Sequence, residues 1–207
     1  TGGTIGLLKK DVLDNVPELR QLAKINTLVM DHMDSSNVTP KHWEKWLNIL
    51  KKNYSQYDGF VITHGTDSMA YTAAAFSFAL GKTQKPVVFT GSQRPLGLIR
   101  SDAAINLINS VETACRGPKA VTLCFGNELL LAVRAMKFSA MDYVAFESFN
   151  APHLASFGVE YESYWNERDY GGTPLWKNKF KENIFCFKIF PGISPSILMN
   201  AVREKTC

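Results

Sequence analysis

The chain of 207 residues holds no apolar run that reaches the ~20 residues a membrane-spanning helix requires, so no transmembrane segment is predicted. No secretory leader is visible either. Cysteine is scarce. Cys115, Cys124, Cys186 and Cys207 include no Cys-x-x-Cys pair, and no histidine stands at a zinc-ligand spacing from them, which excludes the usual structural-zinc and dithiol patterns. Cys124 and Cys186 lie within apolar runs and are expected to be small core residues. A reducing compartment, the cytoplasm, is expected. A basic stripe is missing too. The formal net charge is only +4, and Lys9-Lys10 and Lys51-Lys52 are isolated pairs, so no nucleic-acid partner is expected. Neither repeats nor low-complexity segments occur.

What is present is the composition of a globular protein, 45% hydrophobic and 20% charged. The length suits one generous domain, or one domain plus part of another. Two short loops carry most of the chemical information. One is Thr1-Gly2-Gly3-Thr4-Ile5-Gly6. The other is His64-Gly65-Thr66-Asp67, directly after the apolar run Gly59-Phe60-Val61-Ile62-Thr63. Glycine lacks a Cβ and lets a ligand approach the backbone. A threonine beside it can present a hydroxyl nucleophile close to backbone N–H groups.

Several segments read as strand followed by helix. The run 59–63 precedes an alanine-rich helix over 68–80, with Gly81 as its stop. Pro86-Val87-Val88-Phe89-Thr90 is a second strand. After Gly91-Ser92-Gln93-Arg94-Pro95 comes a helix over 101–114, with Ser101 as N-cap and Asp102 at its positive end. Residues 120–125 form a third strand. Thr39-Pro40 reads as N-cap and N1 of a helix through Trp43, Trp46, Leu47 and Leu50. Apolar strands alternating with helices predict a mostly parallel sheet flanked by helices, an α/β fold. Ligands then bind beyond the carboxyl ends of the strands, the edge where both threonine loops and the Gly91-Ser92-Gln93 turn belong. Three units follow: a large N-terminal domain over 1–150, a connecting region with short strands over 151–183, and residues 184–207. That last unit reads as a strand over 184–190, a turn and a helix from Ser194-Pro195 toward Arg203. It is expected to open a smaller α/β C-terminal domain.

The two threonine loops resemble the two signatures of bacterial-type L-asparaginases. The agreement continues through Met33-Asp34-Ser35-Ser36-Asn37-Val38-Thr39-Pro40, Thr90-Gly91-Ser92-Gln93 and Arg100-Ser101-Asp102-Ala103-Ala104-Ile105-Asn106-Leu107. It extends through Val133-Arg134-Ala135-Met136-Lys137 and Ala145-Phe146-Glu147-Ser148-Phe149-Asn150-Ala151-Pro152. The pattern is most similar to the cytoplasmic type I branch. The resemblance implies a two-domain α/β hydrolase that converts L-asparagine to L-aspartate and ammonia. It implies no metal and no organic cofactor, and a homo-oligomer, dimer or tetramer. It makes Thr4 the primary nucleophile and Thr66, Asp67 and Lys137 a second catalytic cluster. Ser35, Ser36, Thr66 and Asp67 would hold the substrate, and Ser92 would offer a backbone contact near its side-chain amide. His64 is expected to be structural, and Met69 and Tyr71 to serve helix packing.

Two departures from the family pattern stand out. The stretch between Gly6 and Leu28 is shorter than the family's mobile loop, and residues 5–27 contain no tyrosine, whereas some members carry a catalytic tyrosine there. The small domain is also expected to be cut short at Cys207. Two alternative readings stand beside the asparaginase one. One is the D subunit of an archaeal tRNA-dependent amidotransferase, which passes ammonia to a partner. The other is a degenerate amino-acid-binding module.

Overall fold

A computed structural model describes residues 12–184 and 186–203. Thr4 with the rest of the Thr1–Gly6 loop, and Cys207, lie outside the described residues. The elements run α1 (Val12–Asn15), α2 (Leu19–Leu22), a 3-10 turn at Ser35–Asn37, α3 (Pro40–Asn53), β1 (Phe60–Thr63), α4 (Met69–Leu80), β2 (Val87–Thr90) and α5 (Ala103–Arg116). There follow β3 (Val121–Phe125), β4 (Glu128–Leu131), a 3-10 turn at Ala132–Arg134, β5 (Ala135–Lys137), β6 (Phe146–Ser148), β7 (Ala155–Phe157) and β8 (Tyr161–Ser163). A 3-10 turn at Glu167–Asp169 and α6 (Pro195–Arg203) complete the order.

β1, β2 and β3 lie side by side and parallel, each joined to the next through a helix. Alternate side chains on these strands feed opposite faces. Ile62, Val87, Phe89, Val121, Leu123 and Phe125 pack with Trp46, Leu47 and Leu50 of α3 and Met69, Ala73 and Phe76 of α4. Leu107 and Val111 of α5 bury their apolar face with Val61, while Val88 and Cys124 belong to a cluster that includes Ala114. With both faces covered, the strands must be apolar throughout. The Phe76 and Phe89 rings meet edge to face at 5.2 Å. Each such fully buried side chain contributes about 1.5–3 kcal/mol relative to exposure. Thr39 caps α3 as the sequence implies: its hydroxyl and backbone N–H both meet His42 Nδ1, at 2.9 and 3.0 Å. Gly81, at φ +66°, ends α4 with its N–H on the Ser77 carbonyl.

The α/β class holds, and the sheet is mixed. The parallel part ends at β3. Phe125 pairs with Glu128 across the two-residue turn Gly126-Asn127, with Gly126 at φ +60°. A connection that short can only join antiparallel strands. β7 and β8 continue the sheet antiparallel, with β8 at its edge, the short strands expected in 151–183. No strand forms over 184–190: the described residues there carry no ladder, and Ile184, Ile189 and Phe190 are exposed. An apolar run becomes a strand only when a partner edge is in reach. For the same reason Cys186 is exposed rather than in the core, whereas Cys124 is sealed within the sheet, where burial pushes its thiol up to about 12. Met69 is fully buried, but Tyr71 is 71% exposed on the outer face of α4 and does not pack as expected.

Candidate active site

The parallel pairing of β1 and β2 brings their carboxyl ends level, and the His64 N–H donates to the Thr90 carbonyl at 2.8 Å. Two loops therefore leave the sheet together, Gly65–Ser68 and Gly91–Gln93. Glycine is needed in both. A Cβ on Gly65 would lie 2.5 Å from Ser35 Oγ, and one on Gly91 would lie 2.4 Å from the His64 carbonyl oxygen. These contacts seat the Ser35–Asn37 turn against the first loop and pack the first loop against the second.

Lys137 reaches this edge from elsewhere in the chain. Paired with Phe146 at the end of the β5–β6 ribbon, it sits 71 positions from Thr66 in sequence. Its Nζ donates to Thr66 Oγ1 at 2.8 Å and to Asp67 Oδ1 at 2.7 Å. The Thr66 hydroxyl is thereby free to donate onward, to Gln93 Oε1 at 3.3 Å. The Lys137 side chain is only 17% exposed and that of Asp67 is 68% exposed. One end of the ion pair is thus shielded, and the other faces the opening.

The remaining sequence-predicted residues surround this cluster. Ser35 is buried against Gly65, and its carbonyl accepts from the Ser68 hydroxyl. Ser36 is exposed. Its N–H and hydroxyl both donate to Asp34 Oδ1, at 2.8 and 2.7 Å, and these bonds hold the Asp34 carboxyl below its usual range. Ser92 is buried in the second loop.

His64 sits beneath the cluster, buried among Trp46 and Phe89. A carbonyl can only accept, so Nδ1–H donates to the Gly65 carbonyl at 2.7 Å. Nε2 then accepts from the Thr72 hydroxyl at 3.0 Å, and that hydroxyl accepts from the Trp43 indole N–H, also at 3.0 Å. The neutral ring satisfies every partner, and burial lowers the imidazole to about 4. Among the described residues no group of side chains could hold a metal ion.

Sequence reasoning passed over Gln93, Asp102 and Asn106. Asp102 is read from sequence as a helix-end charge, with Ser101 as the N-cap. In the structure α5 begins at Ala103, Ser101 Oγ accepts from the Ala103 N–H at 3.1 Å, and Asp102 makes no side-chain cap bond. A buried carboxylate on an otherwise apolar-spaced helix face was the available signal, since such a group must find donors.

Comparisons with known proteins give the family. A family model described as Asparaginase, N-terminal, matches residues 1–169. The chain belongs to the asparaginase family. It is 36% identical to L-asparaginase 1 of Escherichia coli strain K12, over 99% of this chain and 66% of that protein. It is 32% identical to the D subunit of the glutamyl-tRNA(Gln) amidotransferase of Metallosphaera sedula, over 96% of this chain and 51% of that one. Among solved structures, the thermostable L-asparaginase from Thermococcus kodakarensis superposes with a TM-score of 0.85 at 31% identity, covering 98% of this chain and 66% of that one. The chain thus spans just under two thirds of the length of these asparaginases and about half that of the amidotransferase chain. Among the described residues no helix is long and apolar enough to cross a membrane.

Proposed function

We propose that the protein is an L-asparaginase, hydrolysing L-asparagine to L-aspartate and ammonia with threonine as nucleophile. The observation that carries this reading is the Lys137 amine held at once on Thr66 Oγ1 and Asp67 Oδ1 at hydrogen-bond distance. A threonine hydroxyl is a weak nucleophile until a neighbour takes or polarises its proton. As an ammonium, Lys137 orients the Thr66 oxygen. Tethered by donation to Asp67, its amine stays within proton-exchange distance of the Thr66 hydroxyl.

Thr4 on the N-terminal loop is assigned attack on the side-chain amide carbon. Its Oγ–C bond forms as its hydroxyl proton passes to the amide nitrogen, the C–N bond breaks, and ammonia leaves. Water, activated at the Thr66–Lys137 pair, then cleaves the ester and releases aspartate. Ser35, Ser36, Thr66 and Asp67 are assigned to the substrate, with the exposed Asp67 carboxylate facing its α-ammonium, and Ser92 to a backbone contact near the scissile amide. Water is the only co-reactant.

Following the family resemblance, we place the protein in the cytoplasm as a homo-oligomer. Residues 1–150 form the large domain, 151–183 the connection and 184–207 the opening of a smaller one. The kinship with the amidotransferase chain supports a second reading, ammonia release to a partner. An ammonia assay on the full-length protein without partners tests both. Free asparagine is expected to yield ammonia, and Thr66→Val, nearly isosteric but lacking the hydroxyl, is expected to abolish turnover with the fold intact. Turnover that requires a partner favours the second reading, and wild-type turnover by Thr66→Val removes Thr66 from the mechanism.

A further inference from the structure

Asp102 and Asn106 lie one turn apart at the start of α5, and both are buried. A carboxylate removed from water needs several donors to compensate its desolvation. Asp102 stands at the helix N-cap position, yet its carboxylate faces the β2–α5 loop. The Gln93 N–H donates to Oδ1 and Oδ2 at 3.1 and 2.9 Å, and the Arg94 N–H donates to Oδ1 at 3.0 Å. Asn106 Nδ2 donates to Oδ2 at 3.1 Å and to the Gly91 carbonyl at 2.9 Å, while its Oδ1 accepts from the Gly126 N–H at 2.9 Å. The loop is thus fastened at both ends to α5 and to the β3–β4 turn. Its outward product is one side chain: Gln93 accepts from the Thr66 hydroxyl through Oε1 and donates to the Asp142 carbonyl through Nε2 at 2.9 Å.

Every group facing Asp102 in this set is a donor. Only an acceptor-only side chain meets all of them. Asparagine would turn an NH2 against the Arg94 N–H in the place of Oδ1 or against the Asn106 NH2 in the place of Oδ2.

We propose that Asp102 is a positioning residue for hydrolysis at Thr66. It fixes the Gln93 backbone so that Gln93 Oε1 accepts the resting hydrogen bond of the Thr66 hydroxyl, which leaves a lone pair of the Thr66 oxygen facing Lys137. The assignment rests on the asparaginase reading above.

A double-mutant cycle in the full-length protein tests it, with kcat and KM for asparagine measured for wild type, Gln93→Ala, Asp102→Asn and the double variant. Asp102→Asn is expected to lower kcat about 10- to 100-fold, the cost of unmatched buried donors, with KM within about twofold because Asp102 itself meets no substrate atom. The double variant is expected to be no slower than Gln93→Ala, since Asp102 acts only through Gln93. Additive losses, or a wild-type kcat in Asp102→Asn, overturn the assignment. Hydrogen exchange on the wild type is a second arm that does not depend on the variant's folding. The Gln93 and Arg94 amides are expected to be protected like those of β2, and free exchange there also overturns it. A wild type that releases no ammonia sinks the asparaginase reading and this inference together. An active wild type with an additive cycle sinks only the inference.

Discussion

His64 and Thr66 stand two residues apart on one loop, and their surroundings could hardly differ more. His64 is sealed under aromatic rings, and its two ring nitrogens have one partner each, so its protonation state is settled by packing. Thr66 is half-buried at the mouth of the same loop, and its partners, Lys137 and Gln93, come from distant parts of the chain. Gly65 between them allows the change, because only a residue without Cβ can pass so close to Ser35. The lower half of the loop is a structural post with fixed chemistry. The upper half is a polar cluster open to solvent, and the proposed reaction makes it the proton-handling part.

Substitution at Lys137 should break this contrast most sharply. Lys137→Met keeps the apolar stem and deletes the amine. A general base or its electrostatic counterpart contributes about 10²–10⁴-fold in rate, so kcat for asparagine should fall by that order. Stability should hardly move, because the partner carboxylate of Asp67 is mostly exposed and exposed ion pairs contribute only about 0–1 kcal/mol. A fall in thermal midpoint large enough to account for the lost activity would make Lys137 a structural residue like His64.

The lower half predicts the opposite signature, a pH effect on stability. His64 has a folded-state pKa of about 4, below the ~6.5 of an unfolded chain. Above that unfolded value both states are neutral, and the full contribution is present. As pH falls from about 6.5 toward about 4, the unfolded chain takes up a proton that the folded protein refuses, and stability declines by up to about 3 kcal/mol. Urea unfolding from pH 7 to pH 4 should show a steeper loss for the wild type than for His64→Asn, which cannot titrate. Parallel curves would mean that the buried ring does not resist protonation.

This contrast explains how much could be read before the structure. The strand–helix alternation through β3, the Thr39-Pro40 start of α3 and the Gly81 stop were legible, because each depends on local periodicity or one residue's dihedral preference. The loop glycines likewise announced a close approach. The kinship of Lys137 with Thr66 was legible only through family resemblance, since no local pattern joins residues 71 apart. Asp102, Asn106 and Gln93 were missed because their partners are backbone groups of another loop, which no periodicity records. The strand expected over 184–190 failed on the same ground: its sequence has the apolar character of a strand, but pairing is a property of two segments.

Asp67 sharpens the comparison at the exposed end, where the expected effect is smallest. Its carboxylate accepts from Lys137 with one oxygen and is open to solvent over most of its surface, so the other oxygen can meet the α-ammonium of an amino-acid substrate. Asp67→Asn keeps the shape and removes the charge. A hydrogen bond to a charged group contributes about 1.5–3 kcal/mol, so KM should rise by roughly one to two orders of magnitude alongside some loss of kcat through Lys137. KM alone does not separate the two causes, because a displaced Lys137 could alter both constants. A desamino analogue of asparagine does separate them. Without the α-ammonium, the wild type has lost the same contact that the substitution removes, so the analogue should penalise the wild type far more than Asp67→Asn. Equal penalties in both proteins would mean that Asp67 serves Lys137 alone and that the ammonium is held elsewhere.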